Sequence, residues 1–329
     1  MKIKELPKEK LGFFPTPIVE LKRLTKFLDG PRIFMKRDDL TGLALGGNKT
    51  RKLEYLIAEA ISQNCDTVIT GGAEQSNHCR QTAAAAAACG LKCHLVLGGY
   101  EPENYRGNFL LDYLLGAEIH WTGEFRKGEK IPEITEKLIQ QGHKPYVIPY
   151  GGSNSIGASA FVYAMKELKQ QQYQFNEKFD YIIFASSSGG THAGLLIGKE
   201  AFEIETELIG IGIDKEETEG EPLEIRISKL TNQTADMLQA KINIDPSKII
   251  IKHEYEGGGY GVVGNLETEA IKLTAQYEGI ILDPVYTGRA MGGLVDMVRK
   301  KIIEPNKNIL FWHTGGIPSA FSYSKVLAK

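Results

Sequence analysis

Residues 42–56 read GLALGGNKTRKLEYL, and the role of Lys49 decides how the rest of the chain is read. Glycines, a lysine–threonine pair and apolar residues at helical spacing suggest a phosphate-binding loop feeding a helix. The spacing argues against a nucleotide triphosphatase. That loop needs glycine, four residues, then glycine-lysine-threonine, so that backbone N–H groups wrap the phosphates and the lysine lands on the terminal ones. Here Gly42 is followed by four residues and then by Gly47-Asn48-Lys49, with an asparagine too many. Upstream, Lys36-Arg37-Asp38-Asp39 is charged where a buried apolar strand should lead into the loop. Lys49 needs another role.

Working outward, short β-branched runs alternate with amphipathic segments. RIFMK, DTVITGG, KCHLVLGG, PYVIPYGG, YIIFASSS, ELIGIGI, KIIIKH and NILFWHTGG read as strands. Helices are expected over Asn48–Gln63, Arg80–Cys89, Gly107–Leu115, Ile156–Gln170 and Leu266–Tyr277, with a polar surface connection over Gln170–Lys178. Near-continuous apolar strands separated by helices imply parallel sheets covered on both faces, an α/β, doubly wound class. In such sheets ligands sit beyond the C-terminal strand ends. Glycine pairs fall at those ends: Gly71-Gly72, Gly98-Gly99, Gly151-Gly152, Gly189-Gly190 and Gly315-Gly316. Several together suggest loops whose backbones approach a shared ligand.

Composition bounds the function. The chain has 329 residues, 42% hydrophobic and 24% charged, with formal net charge -2. That is globular, long enough for about two domains. No basic run indicates nucleic acid or a membrane surface. The start MKIKELPKEKLGFFPTP is too charged for a signal peptide, and no apolar stretch approaches the roughly 20 residues of a membrane span. Cys65, Cys79, Cys89 and Cys93 fall in one short region without a Cys-x-x-Cys, so a reduced, cytoplasmic setting is expected. His78-Cys79 and Cys93-His94 match no usual zinc spacing, and no metal is expected.

Four motifs carry chemistry. GGAEQSNHCRQTAAAAAACG (residues 71–90) is a strand end, a loop and an alanine-rich helix, with Ser76 or Asn77 as N-cap. Gln75, Ser76, Asn77 and His78 there present N–H groups suited to a carboxylate or phosphate. FASSSGGTHAGLLIG (184–198) also opens a helix, and its serines, glycines and Thr191 form a phosphate cup without a lysine. GGGYGVVG (257–264) spells the dinucleotide pattern with Gly259, Gly261 and Gly264, but the preceding strand ends too early and no βαβ half begins at Asp283. LDPVYTGRAMGGLVDM (282–297) places Tyr286 and Thr287 between a strand and a helix, a suitable wall for a planar ring.

Together these stretches resemble the fold-type II (tryptophan synthase β-like) pyridoxal-phosphate enzymes. The nearest likeness is to the family of 1-aminocyclopropane-1-carboxylate deaminase and D-cysteine desulfhydrase. It runs from FPTPIVEL through KRDDLTGLALGGNKTRKLEYL, QSNHCRQTAA, PYGGSNSIGA, SSSGGTHAGL and LDPVYTGRAMGGL to FWHTGG. The resemblance makes Lys49 the covalent anchor of pyridoxal 5'-phosphate. It places Ser76 for proton transfer near the substrate Cα and Asn77 on the ring oxygen of the cofactor. It gives the substrate carboxylate to the amides around Gln75–His78, and the phosphate to Ser188, Gly189, Gly190 and Thr191. Tyr286 stacks on the ring and Tyr260 sits near the substrate. It also implies a homodimer of two open-sheet domains, residues 52–162 and 1–51 plus 163–329, with the cofactor between them.

The substrate is then a small amino acid. Relatives resembling the deaminase carry glutamate after the ring tyrosine, where this chain has Thr287. A hydroxyl from Thr287 or Thr314 at the pyridine nitrogen makes a weaker electron sink than a carboxylate-paired ring. Expulsion of a thiolate, whose thiol has a pKa of about 8.5, needs less help than opening a cyclopropane. The expectation is α,β-elimination of D-cysteine to pyruvate, hydrogen sulfide and ammonia. The alternatives are deamination of aminocyclopropane carboxylate, cleavage of L-cysteate, and cofactor binding without turnover.

Overall fold

In a computed structural model, which describes residues 3–215 and 220–329, the chain forms two sheets. The strands are β1 (Ile18–Glu20), β2 (Arg32–Arg37), β3 (Thr67–Ala73), β4 (Lys92–Gly98), β5 (Glu118–Trp121), β6 (Pro145–Val147), β7 (Tyr181–Ser186), β8 (Glu207–Gly212), β9 (Ile250–Lys252) and β10 (Asn308–His313). The principal helices are α1 (Lys22–Leu28), α2 (Lys49–Ser62), α3 (Asn77–Ala88), α4 (Gly107–Leu114), α5 (Ile131–Gln140), α6 (Ser155–Phe175), α7 (Gly190–Ala201), α8 (Leu223–Met237), α9 (Asn265–Glu278) and α10 (Thr287–Arg299). The larger sheet has the order β1-β2-β10-β7-β8-β9 and the smaller β5-β4-β3-β6. Every pairing is parallel except β1 on β2.

The larger sheet is buried on both sides because its strands are apolar at successive positions. On β10, Ile309 and Phe311 join α9 and α10 in one core, and Leu310 and Trp312 join α6 and α7 in another. The smaller sheet sends Val68, Cys93, Leu95 and Leu97 against α2 and α3, and Ile69 and Val96 against α5. Ala83, Ala84, Ala85 and Ala86 are buried on α3, where short side chains let the helix lie close to its neighbours.

The expected strands and helices are present, except that among the described residues no strand immediately precedes Tyr286; β1, β5, α1, α5 and α8 come in addition. The segment beginning at Gln170 is no surface connection: α6 continues to Phe175 and ends at Asn176, in the left-handed conformation (φ 52°). Glutamine is a good helix former, and nothing in QQQYQF stops a helix. The strands β1 and β5 are short, three and four residues, and lie at sheet edges, where apolar patterning is weakest.

Lys36-Arg37-Asp38-Asp39 ends β2 as a buried ionic mount for α2. Arg51 donates to Asp38 from Nε and Nη2, both at 2.8 Å, and to Glu167 from Nη1 at 2.9 Å. Trp312 Nε1 donates to Asp38 at 2.8 Å, and Lys36 pairs with Glu167. Ions taken out of water persist only when paired and hydrogen-bonded in this way. The network fixes the first turn of α2, which begins at Lys49. Among the described residues no helix is long and apolar enough to cross a membrane.

Candidate active site

A cavity opens at the C-terminal ends of the strands, lined by residues that follow β3, β6, β7 and β10 and by the loop before α2. Lys49 lies on its wall with Nζ 3.3 Å from Asn48 Oδ1. Asn48 donates its amide to Thr314 O at 3.0 Å. Gly47 and Gly315 bring the two loops together: a Cβ on Gly315 would stand 2.7 Å from Gly47 Cα. Burial lowers the Lys49 pKa to about 8, against the opposing pull of Asp283. A drop of that size raises the neutral, nucleophilic fraction at neutral pH by roughly 300-fold.

Across the cavity, α3 begins at Asn77 with Ser76 as N-cap, its hydroxyl accepting from Cys79 N at 3.2 Å. Ser76 N is already donated to Ala73 O at 2.9 Å. The helix itself supplies no acceptor for the amides of Asn77 and His78, which leaves them for an anion. Gln75 turns its side chain away. Its Oε1 accepts from Asn108 N at 2.9 Å and its Nε2 donates to Arg106 O at 3.1 Å, binding the start of α4. Asn77 Oδ1 accepts from Asn108 Nδ2 at 2.7 Å, so the amide NH2 of Asn77 keeps its donors. Thr70 Oγ1 donates to Ile148 O and meets His78 Nε2 at 2.9 Å. The hydrogen of His78 is therefore on Nε2, and buried Nδ1 has no partner. Burial, with Lys49 and Lys52 beside it, holds His78 neutral.

The third wall follows β7. Gly189 (φ 85°) turns the chain into α7. The amide of Gly190 donates to Ser153 Oγ at 3.2 Å, and Ser153 Oγ donates to Ser188 Oγ at 2.8 Å. Thr191 Oγ1 accepts from Asn48 Nδ2 at 3.2 Å. Lys52, one turn beyond Lys49, sends Nζ to Gly151 O at 3.0 Å and Ser153 Oγ at 3.1 Å. A Cβ on Gly190 would stand 2.7 Å from that Nζ, so only glycine leaves the ammonium beside the helix terminus. Among the described residues Lys52 has no carboxylate partner, and burial pushes its pKa well down. A buried amine without a counter-charge, facing a helix N-terminus and several hydroxyls, fits a phosphate, whose negative charge would favour its protonated form.

The fourth wall carries Tyr286, whose hydroxyl donates to Tyr260 Oη at 3.1 Å. Burial raises both phenols well above their usual pKa, so both stay protonated. Tyr260 sits on the glycine loop that mimics a dinucleotide motif. That loop follows a 3-10 turn after β9 and is clamped by buried Arg289, which donates to Gly259 O at 3.0 Å, Val262 O at 2.6 Å and Glu267 at 2.6 Å. The Arg126 guanidinium lies over the Tyr260 ring at 4.8 Å.

The two threonines offered for the pyridine nitrogen separate here. Thr314 lines the cavity and Thr287 does not. The Thr287 hydroxyl donates to Asp283 Oδ1 at 2.7 Å and accepts from Asp283 N at 2.8 Å. Asp283 also takes the amides of Val285, Tyr286 and Thr287 at 3.1, 3.0 and 2.6 Å, so Thr287 ties the start of α10 to the turn before it.

The cavity thus gathers Lys49, Ser76, Asn77, His78, Ser188, Gly189, Thr191, Tyr286 and Thr314. Gly190 and Tyr260 stand immediately behind its wall, and the side chains of Gln75 and Thr287 face elsewhere. Sequence reading missed Lys52, Tyr150 and His192. Tyr150 lies in PYGG at the end of β6, and burial pushes its pKa up to about 12. His192 is one residue past the phosphate cup, held near pKa 3 by burial, with Nδ1 3.2 Å from Ser186 Oγ. For Tyr150 and His192 the available signal was their place close to a glycine pair.

Known proteins share this architecture. Residues 10–315 match the family described as pyridoxal-phosphate dependent enzyme. The chain is 42% identical over 323 residues to proteins named D-cysteine desulfhydrase from two strains of Klebsiella pneumoniae, 342 and ATCC 700721 / MGH 78578, covering 96% of this chain and 96% of each. A crystal structure described as an ACC deaminase homologue superposes with TM-score 0.89 at 39% identity, covering 98% of this chain and 96% of that one. A pyridoxal 5'-phosphate-dependent aspartate racemase shares the fold, with TM-score 0.63 at 18% identity over 92% of this chain and 90% of that one. The expected fold-type II architecture and its cofactor are borne out, and the chain belongs to the pyridoxal-phosphate dependent enzymes.

Proposed function

We propose that the protein is a D-cysteine desulfhydrase, converting D-cysteine and water to pyruvate, hydrogen sulfide and ammonia. One observation carries this reading beyond the names of its relatives: among the described residues no aspartate or glutamate lines the cavity. Thr314, on the cavity wall, would offer its hydroxyl to the ring nitrogen, and such a sink would suit a leaving group that departs readily.

When bound, pyridoxal phosphate supplies the electron sink for bonds at the substrate Cα. The residues supply the rest. The amides of Asn77 and His78 hold the substrate carboxylate at the positive end of α3. Lys52, Ser188, Gly189, Gly190 and Thr191 would hold the phosphate, and Asn77 would donate to the ring oxygen. The Lys49 amine, whose pKa burial lowers to about 8, is the covalent anchor and the nearest base. Ser76 moves a proton at Cα, and the paired Tyr286 and Tyr260 hydroxyls offer a proton where the thiolate leaves. On this reading residues 52–162 and residues 1–51 with 163–329 are two domains closing on the cofactor. The enzyme works as a cytoplasmic homodimer, a setting that suits its four free cysteines.

A substrate panel tests the proposal. D-cysteine, L-cysteine, L-cysteate and aminocyclopropane carboxylate are supplied separately, and sulfide, sulfite and keto acid are measured for each. Sulfide with pyruvate from D-cysteine is expected. Efficient 2-oxobutyrate formation without sulfide release overturns the assignment in favour of the deaminase reading.

A further inference from the structure

Outside the cleft, three chemically matched side chains meet at the free edge of the smaller sheet. The register of β4 and β5 sets His94 opposite Glu118 and Val96 opposite His120. Side chains alternate along a strand, so His94, Glu118 and His120 share the face on which Val96 packs against Ile131 and Leu138 of α5. His94 Nδ1 is 3.0 Å from His120 Nε2, and both nitrogens are 3.7 Å from Glu118 Oε1. A hydrogen bond between the two rings accounts for the first distance. It leaves Glu118 beyond hydrogen-bond reach of both nitrogens, at the third corner of a triangle.

That triangle has the dimensions of a metal site. The point equidistant from its corners lies about 2.0 Å from each, within the range of zinc–nitrogen and zinc–carboxylate bonds. The ring centroids are 5.3 Å apart and the planes are 18° from parallel. Two imidazoles bound to one zinc at tetrahedral angles have centres about 5 Å apart, so the rings need only pivot about their present centres. We infer that His94, His120 and Glu118 form a binding site for a divalent transition-metal ion of the zinc type, bracing β5 against β4. Imidazole with carboxylate suits zinc, copper or nickel better than magnesium or calcium. Glu118 is 68% exposed, so solvent completes the coordination, as in sites that keep an open position.

Neutral imidazole is the form that binds metal, and it is the prevailing form of histidine above its ordinary pKa of about 6.5. Lys92, Lys137 and His143 are the nearby basic groups. All are engaged: Lys92 Nζ with His143 Nε2 at 3.4 Å, His143 Nδ1 with Asp66 at 3.0 Å and Lys137 with Glu133 at 2.8 Å. The ligands lie in the first half of β4 and on β5, while the cofactor cleft lies at the C-terminal strand ends.

The test uses the chelator-dialysed holoenzyme and zinc chloride alone. Wild type should bind zinc at this site and show a raised unfolding midpoint with zinc. Losing an outer partner of a metal ligand alone costs about 10- to 100-fold in affinity, so Glu118→Gln and His120→Asn should each weaken zinc binding at least about tenfold. Neither variant's midpoint should respond to zinc. The partly exposed positions are chosen because His94 is buried and its loss could unfold the edge. Cobalt in place of zinc should give a visible spectrum that both variants lose. Absence of zinc binding by wild type, or binding undiminished in both variants, overturns the assignment.

Discussion

Replacing Ser76 by alanine separates the two roles of its hydroxyl. Structurally, the substitution removes the acceptor 3.2 Å from Cys79 N. Losing such a cap costs about 0.5–2 kcal/mol, small beside the 5–15 kcal/mol that typically holds a protein folded. The variant therefore stays folded at 25 °C. Chemically, it removes the proton-transfer group, and such groups contribute roughly 10²- to 10⁴-fold, or about 3–5.5 kcal/mol of barrier. The amides of Asn77 and His78 are untouched, so carboxylate binding persists. The expected result is kcat for sulfide release from D-cysteine down by that factor with KM changed little. An α-deuterium isotope effect should be larger than in wild type, because proton transfer has become slower than later steps. Ser76→Gly is the control: glycine caps within a few tenths of a kcal/mol of serine but lacks the hydroxyl. Both variants should lose kcat equally despite different melting temperatures. An active glycine variant beside an inactive alanine variant, or a change confined to KM, refutes the reasoning.

Lys49→Ala should abolish turnover while the apoprotein still takes up pyridoxal phosphate through the phosphate cup, and borohydride should no longer fix the cofactor to the chain; label on Lys36 or Lys52 in wild type would reject the anchor. Burial lowers the Lys49 pKa to about 8, and only the neutral amine attacks an aldehyde. The rate of covalent capture by apoenzyme should therefore rise with pH and level off above about 8; a rate still climbing toward pH 10 contradicts the shift. Lys52→Met should weaken cofactor affinity by roughly 10- to 150-fold, the equivalent of a charged hydrogen bond of about 1.5–3 kcal/mol, measured by equilibrium dialysis. Thr287→Val should lower stability by about 1–3 kcal/mol, since buried Asp283 loses a donor, whereas Thr314→Val should alter the cofactor absorption band with little change in melting; the opposite pattern would return the ring nitrogen to Thr287.

Much of this was legible because the chain's strongest local signals are also its structural ones. The apolar strands of the larger sheet are buried on both faces, so their runs stand out without any knowledge of partners. Glycine pairs mark the strand ends, and the extra Asn48 excludes the nucleotide loop by counting alone. What stayed hidden depends on direction or on distant pairing. Thr287 sits beside the ring tyrosine in sequence, yet its hydroxyl turns back to Asp283, a choice made by the turn. Lys52 looks like any cation on an amphipathic helix until α2 is placed beside Ser153 and Gly190. Gln75 belongs to a run of polar residues, but Asn108 captures its side chain. His94 keeps company in sequence with Cys93, whereas in space it meets Glu118 and His120 through the pairing of β4 with β5.

The position of β10 has a consequence for how the chain is made. It lies between β2 and β7 in the larger sheet, pairing with both, and comes from residues 308–313. A growing chain can assemble the smaller sheet early, since its strands come from consecutive stretches between residues 67 and 147. The larger sheet lacks a central strand until residues 308–313 are made, and the β2–β10 pairing joins segments far apart in the sequence. Such long-range closure is slow and leaves apolar strand edges open meanwhile. Thr314 and the Gly315–Gly47 contact arrive with that last strand. Cofactor capture therefore waits on that strand, and a chain cut short before residue 308 carries Lys49 without a finished pocket around it.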